Sequence, residues 1–439
     1  MPSGGAASAY NRRILRSTIS PALLSLLALA VALALSMVTE INVGWLAIAF
    51  AWLIGVYAAG LRADAVMAGF PVPLFLTLAG VTLLFAIAET NGSLAALAHR
   101  AIRLVRGSTR ALPVLLFLIA GAISSVGPGA ISTVALLAPI SMAMGRRVGL
   151  PAFLIALMIA NGANAGNLSP FSSVGIIANG AMAKAGLAGH EARVWFANFV
   201  THVLVATVAF VWLARRKDDA NAAAGAVEPE ALPSFTRRQQ FTLIVIALWI
   251  AGVVVGGWNL GFSAFAAAAL LVLGRAGDER AAVRAMPWGI IMMVCGVSVL
   301  IGVLEKTGGM DLFTAVLAKF ASPATVNGVI AFVTGAISTY SSTSGVVMPA
   351  FLPTSTTLVE RLGGGDPLAV ALSINVGSSL VDVSPLSTIG ALCVAAVSDV
   401  NESRLLFRRL MIWGLSMILV GALICQFFAG MLARASMAP

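Results

Sequence analysis

The chain alternates between long apolar stretches and short polar loops. Ten of the stretches suit membrane-spanning helices, because about 17–25 apolar residues cross a hydrocarbon core about 30 Å thick. They lie at 20–38, 44–61, 70–88, 150–185, 194–214, 240–258, 261–275, 287–304, 367–399 and 405–430. The pattern therefore predicts an all-α polytopic membrane protein.

The composition agrees with lipid as the solvent. Hydrophobic residues make up 59% of the chain and charged residues 10%, whereas a soluble domain carries roughly 25% charged residues. The net charge of +10 comes from Lys and Arg in short loops between apolar stretches, which is a pattern of membrane topology. We therefore expect a lipid bilayer and no nucleic acid as a partner.

The two halves of the chain resemble each other at an offset of about 215 residues. Gly121–Ser124 has the same sequence as Gly335–Ser338, and Ser169-Pro170 recurs as Ser384-Pro385. The match extends to the first apolar stretch, so that stretch is interpreted as a helix, although the arginines before it would also suit a secretory signal.

Each half contains five spanning segments. Because this number is odd, the second copy would enter the membrane upside down, as in the inverted repeats of transporters. The predicted units are a tail (1–18), repeat 1 (19–216), a polar linker (217–239) and repeat 2 (240–439). Their parts are scaffold helices 19–92 and 240–310, hairpins 111–144 and 324–357, broken helices 150–185 and 367–399, and last helices 194–214 and 405–430.

The two hairpin segments are apolar but interrupted at their centres. The first is broken at Gly127-Pro128-Gly129, which leaves arms of about 15 residues, or roughly 22 Å at 1.5 Å per residue, too short to span. The second has seven hydroxyl side chains within Ser338–Gly345. We expect two re-entrant helical hairpins, with the hydroxyl cluster either binding a ligand or bonding to nearby helix carbonyls.

The broken helices combine helix-disrupting residues with small polar side chains. Pro170 and Pro385 each remove a helix hydrogen bond and restrict the residue before them. The freed backbone groups need partners, which suits a carboxylate at helix N-termini and Na⁺ among hydroxyl and carbonyl oxygens. The predicted substrate-binding residues are Ser125, Gly127, Gly129, Ser132, Asn167, Ser172, Ser341, Ser342, Thr343, Ser344 and Ser387. The predicted cation-binding residues, for Na⁺ or H⁺, are Asn164, Ser169, Ser379, Asp382, Ser384 and Thr388.

Asp382 is the one carboxylate expected deep in the second broken helix, where Asn167 is its counterpart in the first half. A charged side chain at this depth is costly unless it is paired. It would act as a cation ligand or proton carrier, or else as a structural hydrogen-bond partner of nearby hydroxyls.

At these hairpins and breaks the sequence resembles the ion-transporter superfamily, and in particular bacterial malonate/dicarboxylate carriers and, more distantly, divalent anion:sodium symporters. The stretches that carry the resemblance are Gly121–Pro139 and Asn161–Gly180, with their second-half echoes. The resemblance implies a multi-pass protein of the bacterial inner membrane, a scaffold domain that forms a homodimer, and a moving transport domain.

These observations predict a secondary active transporter of a small carboxylate such as malonate or succinate, coupled to Na⁺ or H⁺. Another organic or inorganic anion, or an anion channel, stays open. The sequence has no set of nucleophile and base, no metal-ligand cluster and no Gly-rich nucleotide loop, so we expect neither an enzyme nor a resident cofactor other than Na⁺.

Overall fold

The computed structural model describes residues 20–38, 41–103, 111–127, 129–215, 234–397 and 399–434. Those residues form helices and no strands, which confirms the all-α prediction. Within these described residues, seven helical segments are long and apolar enough to cross a membrane, so the chain is a multi-pass membrane protein. The predicted tail 1–18 and most of the linker 217–239 lie outside the described residues.

The helices of the first half follow the predicted segments. They are α1 (Pro21–Val38), α2 (Val43–Trp52, extended by a π-helical turn Leu53–Ala58), α3 (Ala63–Met67), α4 (Val72–Thr90), α5 (Ser93–Arg103), α6 (Leu112–Val126), α7 (Gly129–Arg147), α8 (Ala152–Asn167), α9 (Ser173–Lys184) and α10 (Glu191–Arg215). Two short helices, α3 and α5, were not predicted.

The helices of the second half repeat this order. They are α11 (Arg237–Val254), α12 (Leu260–Leu273), α13 (Glu279–Ala285), α14 (Trp288–Thr307), α15 (Gly309–Ala318), α16 (Val326–Ser338), α17 (Met348–Phe351), α18 (Ser355–Leu362), α19 (Pro367–Leu380), α20 (Thr388–Ala395) and α21 (Val400–Arg434). A π-helical turn, Thr343–Val347, precedes α17, and a 3₁₀ turn, Leu352–Thr354, follows it.

Both predicted hairpins consist of two helical arms. In the first, α6 and α7 meet at Gly127 and Gly129, but α7 has 19 residues where about 15 were predicted, because its helix continues through Pro139. Residues Gly129–Arg146 have the length and hydropathy of a membrane span. The helix break is therefore where the sequence predicts it, whereas the re-entrant course of the hairpin stays a prediction.

Both predicted helix breaks are present. Helix α8 ends at Asn167 and α9 begins at Ser173. Helix α19 ends at Leu380, a 3₁₀ turn follows at Val381–Val383, and α20 begins at Thr388. The breaks are thus residues 168–172 and 381–387, and each includes its proline.

The helices of the two halves make matching contacts. Helix α6 packs on α8 as α16 packs on α19, and α8 packs on α10 as α19 packs on α21. Across the halves, α4 packs against α12 and α14 packs against α2. Because α4 is equivalent to α14 and α2 to α12, these two contacts are equivalent as well. This is the contact pattern that two structurally related halves produce, and their opposite orientation in the membrane stays a prediction.

The contacts between the halves depend on closely approaching glycines. A Cβ at Gly296 would lie 2.2 Å from the Gly44 carbonyl oxygen, and one at Gly80 would lie 2.5 Å from that of Gly261. Such separations exclude any side chain, so α14 approaches α2, and α4 approaches α12, by their backbones. Close packing of this kind fixes the scaffold on which the hairpins and broken helices rest.

Candidate functional site

A cavity of about 380 Å³ lies where the second hairpin tip meets both helix breaks. The second half supplies most of its wall, and the start of α2, Ile131 of α7 and the first broken helix supply the rest. The residues around it are Ile41, Asn42, Val43, Ile131, Asn167, Val174, Met293, Tyr340, Ser341, Ser342, Thr343, Ser344, Val346, Asp382, Leu386, Ser387, Thr388 and Ile389. This convergence of hairpin and breaks makes the cavity the candidate ligand site.

The second hairpin tip is attached to the second break through Asp382. The Thr343 hydroxyl donates to Asp382 Oδ1 at 2.6 Å, and Thr343 also shares a hydrogen bond with the Ser338 hydroxyl at the end of α16. Asp382 is 9% exposed, so its carboxylate is nearly buried while it still lines the cavity. A carboxylate in this position has one neutral hydrogen bond and no positive partner among the described residues.

Side-chain hydroxyls hold the irregular backbone of the second break. Ser387 donates to the carbonyl oxygens of Asp382 and Ser384, and the Ser384 hydroxyl accepts from the Leu386 amide at 3.3 Å. Because these bonds replace helix bonds that Pro385 interrupts, the turn is fixed without a regular helix. The start of α20 is thereby placed at the cavity wall.

The first hairpin tip is attached to the first break by a different bond. The Ala130 amide donates to Asn167 Oδ1 at 3.0 Å, and the Ser173 amide donates to the Gly127 carbonyl at 3.4 Å. Because the Asn167 oxygen is occupied by Ala130, its amide nitrogen is the group that this side chain can offer to a ligand. Asn167 therefore holds the first hairpin tip and also lines the cavity.

Three helical segments begin at the cavity, and a fourth, α7, reaches it within its first turn. Asn42 caps α2, Ser342 caps the arm that begins at Thr343, and Ser387 precedes α20. Helix α7 begins at Gly129 and reaches the cavity at Ile131. Helix N-termini carry partial positive charge and free N–H groups, so they favour an anion. The described residues around the cavity include no Lys or Arg.

The hydroxyls of the second tip differ in their hydrogen bonds. The Ser342 hydroxyl accepts from the Gly345 amide at 3.0 Å, which is a helix cap. The buried Ser341 hydroxyl has no partner among the described residues. An unpartnered buried hydroxyl is costly, and a ligand in the cavity would supply the missing bond.

Eight of the predicted site residues line the cavity and the others do not. The eight are Asn167, Ser341, Ser342, Thr343, Ser344, Asp382, Ser387 and Thr388. Those apart from it are Ser125, Gly127, Gly129, Ser132, Asn164, Ser169, Ser172, Ser379 and Ser384.

The residues apart from the cavity have several surroundings. Gly129 lies behind Asn167, next to the hydroxyls of Ser172 and Ser173. The Ser125 hydroxyl donates to the Gly121 carbonyl in its own helix at 2.7 Å. Ser132 lies on a separate small cleft that also contains Glu89. Ligand roles for these residues stay predictions.

Ten cavity residues were not predicted, among them Asn42, Met293 and Tyr340. Asn42 has a sequence signal, because it matches Asn259 in the second half and both cap a helix. Tyr340, which is 56% exposed, belongs to the hydroxyl cluster of the second tip, whereas Met293 is apolar and nothing local marks it. Their role depends on how α14 packs against the second tip.

The comparisons with known proteins agree with this architecture. Residues 19–167, about a third of the chain, match the family model of the dicarboxylate carrier protein MatC N-terminus, which confirms the predicted resemblance over that part. No curated protein matched the chain. The wider placement in the ion-transporter superfamily stays a prediction.

Solved structures extend the comparison to nearly the whole chain. The YdaH transporter of Alcanivorax borkumensis has a TM-score of 0.57 at 18% identity, over 84% of this chain and 90% of that one. The MtrF protein of Neisseria gonorrhoeae, whose structure is described as illuminating a class of antimetabolite efflux pumps, has a TM-score of 0.57 at 12% identity, over 94% and 97%. The chain has the fold of a membrane transporter. At these identities the likeness concerns the fold alone.

Proposed function

We propose that the protein is a secondary active transporter of a small carboxylate, a three- or four-carbon dicarboxylate such as malonate or succinate, coupled to Na⁺ or H⁺. The observation that carries the proposal is the cavity at which the second hairpin tip, both helix breaks and Asp382 converge. The match of residues 19–167 to a dicarboxylate carrier model supports the same substrate class.

The chemistry of the cavity suits an anion of this size. Its volume of about 380 Å³ lies within the roughly 300–1,000 Å³ usual for small-molecule sites. The helix N-termini around it, at about 0.3–1 kcal/mol each and up to ~2 where partly buried, offset negative charge without a basic side chain. Hydroxyl and amide donors, such as Ser341 and Asn167, can then orient the carboxylates.

Asp382 supplies the reason for coupling. A dicarboxylate beside the Asp382 carboxylate would be repelled, because like charges interact strongly away from bulk water. A sodium ion or a proton bound with the substrate removes this repulsion, so the anion and the cation would bind together. The hydroxyl of Thr343 donates to Asp382, so a cation bound at Asp382 would also change the position of the hairpin tip.

Alternating access follows from the same elements. The hairpins and broken helices would form the moving part, and α1–α4 and α11–α14 the scaffold. Matching contacts in the two halves support two related conformations with exchanged roles, which is how inverted repeats operate. The predicted setting is the bacterial inner membrane.

Uptake by purified protein in liposomes tests the proposal. Malonate and succinate should enter saturably and be concentrated when a Na⁺ or proton gradient is imposed, whereas acetate and gluconate should compete poorly. A thermal-shift screen with the same acids, with and without sodium, gives an independent measure of binding. Currents that rise linearly with voltage, without saturation or gradient dependence, would indicate a channel and reject a carrier.

A further inference from the structure

A second polar cluster lies between α8, α10 and α19, one helix turn from Asn167, and none of its residues lines the cavity. Its members are Asn161, Asn164, Asn198 and His202, and each is 0% exposed. The two asparagines of α8 are three residues apart and the two α10 residues are four apart, so each pair shares a helix face. The proposed transport function uses neither Asn198 nor His202.

Hydrogen bonds to carbonyl oxygens fix how the two central amides are oriented. Asn198 Nδ2 donates to the Asn164 carbonyl at 2.6 Å, and Asn164 Nδ2 points to the Ser379 carbonyl at 3.4 Å. Flipping either amide would set two oxygens against each other, so the orientation follows from the network. Both Oδ1 atoms are consequently acceptors, and neither has a hydrogen-bond partner in the described part of the chain.

The same reasoning fixes the tautomer of His202. Asn161 Nδ2 donates to the Leu157 carbonyl at 2.9 Å, which leaves Asn161 Oδ1 to face His202 Nδ1 at 3.1 Å. Nδ1 must therefore carry the hydrogen, and in neutral imidazole Nε2 is then an acceptor. His202 Nε2 also has no partner among the described residues, so the cluster has three buried acceptors and no donor for any of them.

The C-terminal ends of two helices add partial negative charge to these three acceptors. Asn164 lies in the last turn of α8, and Ser379 lies in the last turn of α19. The C-terminal ends of the two broken helices thus meet at the cluster. Each contributes partial negative charge from carbonyls that lack helix partners. Asn164 and Ser379 are also equivalent positions of the two halves, at an offset of about 215 residues, so both breaks contact the same point.

We infer that this cluster is a binding site for a monovalent alkali cation of the sodium class. Asn164 Oδ1 and Asn198 Oδ1 would bind the ion directly, and His202 Nε2 would accept from a water that the ion retains. Hard oxygens beside helix C-terminal ends are the usual surroundings of such ions in transporters. The site is separate from Asp382 and its occupancy would fix the crossing of α8 and α19, whichever ion drives transport.

Sodium-dependent stability of the purified protein, without any carboxylate, tests the inference. The melting temperature is measured in sodium chloride and in choline chloride of equal ionic strength, together with equilibrium binding of radioactive sodium. We expect sodium to raise Tm by about 5 °C or more, since a ligand that binds only the folded state stabilises it. The Asp382→Asn variant should keep this increase and should still bind sodium.

Substitutions within the cluster separate it from the cavity. Asn198→Ala and Asn164→Ala should lose the sodium-dependent increase. The matched control is Thr201→Ala, on the same helix, because the buried Thr201 hydroxyl bonds only to the Ala197 carbonyl of its own helix. If the alanine variants do not fold, Asn164→Asp, which adds a charge at constant size, should lower the half-effective sodium concentration about tenfold.

Three outcomes would overturn the inference. Equal Tm in sodium and choline, with no sodium bound by the Asp382→Asn protein, would mean that a buried water fills the cluster. A sodium effect lost in Asp382→Asn but kept in Asn198→Ala would assign the ion to the cavity and leave the proposed coupling intact. An unchanged sodium midpoint in Asn164→Asp would exclude Asn164 as a ligand.

Discussion

The two hairpin tips occupy equivalent places in the two halves but differ in what surrounds them. The first tip is packed against an aromatic group, since Phe85 lies against Gly127 and makes an edge-to-face contact with Trp249 at 6.0 Å. The second tip borders the cavity. A backbone amide joins the first tip to a neutral side chain, Asn167, whereas a hydroxyl joins the second to the carboxylate of Asp382.

The two tips therefore differ in how they are held in place. The first tip is held by packing and by a bond that does not respond to a cation. The second is held by a bond to the Asp382 carboxylate, which would change on cation or proton binding under the proposed coupling. Under the proposed function, the second half would respond to the coupling ion, and the first half would provide a fixed wall through Asn167.

Replacing Asp382 by Asn should have the largest effect. The change keeps the size of the side chain but removes the charge that the cavity contains. Uptake should lose its dependence on the ion gradient, and concentrative uptake should fall by about 100-fold, the upper range for losing an interaction with a charged group. The measurement is uptake into liposomes with and without the gradient.

The control for this change is Asp366→Asn, at the start of the same broken helix. Asp366 caps the other end of α19 through the amides of Leu368 and Ala369, and Asn caps helices about equally well. Its ion dependence should equal that of the unchanged protein. An Asp382→Asn protein that still follows the gradient would assign Asp382 a structural role.

Gly127→Ala, at the packed tip, should lower stability more than the equivalent change at the tip that borders the cavity. The added Cβ would lie 1.9 Å from a ring carbon of Phe85, and overpacking of a close-packed site costs about 1–3 kcal/mol. Gly345→Ala should cost less stability, because its nearest neighbour is the flexible end of Met293. Thermal unfolding in detergent measures both.

Two further variants check that the clash is the cause. Gly430→Ala, with nothing within 4 Å of the new Cβ, should leave stability unchanged or raise it slightly. Adding Phe85→Leu to Gly127→Ala should restore part of the loss. Equal destabilisation by Gly127→Ala and Gly345→Ala would contradict the contrast between a packed and an open tip.

Thr343→Val should weaken the second tip without removing the charge. Valine has the shape of threonine but cannot donate to Asp382, and hydrogen bonds to charged groups contribute about 1.5–3 kcal/mol. We expect the apparent Km for the dicarboxylate to rise about tenfold or more, with Thr343→Ser restoring most of it. Uptake kinetics at several substrate and ion concentrations measure the change, and an unaltered Km would show that the tip does not depend on this bond.

The positions of the breaks were predictable because their causes are local. Pro170 and Pro385 interrupt helix bonds wherever the helices lie, and a buried carboxylate such as Asp382 is unusual in any apolar segment. The difference in packing between the tips was not predictable, because it depends on Phe85 and Met293, which are far from the tips in sequence and chemically unremarkable.

The second polar cluster shows the same limit. Asn198 and His202 were scattered polar residues in an apolar segment, and an isolated histidine carries no signal. Their significance comes from Asn161 and Asn164 on another helix, which the packing of α8 on α10 brings within hydrogen-bond distance. Sequence patterns show which residues share a helix face, but the partner face is a tertiary property.

Ser341→Ala should have the smallest effect. Whether it changes Km or Tm distinguishes a ligand-binding role from a structural one. Because the Ser341 hydroxyl has no partner among the described residues, its loss should leave Tm unchanged. A neutral hydrogen bond to the substrate contributes about 0.5–1.5 kcal/mol, so the apparent Km should rise roughly two- to tenfold. Ser373→Ala is the matched control, since that hydroxyl bonds within its own helix and lies outside the cavity. A lower Tm with an unchanged Km would make Ser341 a structural residue, and the second tip would then contact its ligand only through Ser342 and its neighbours.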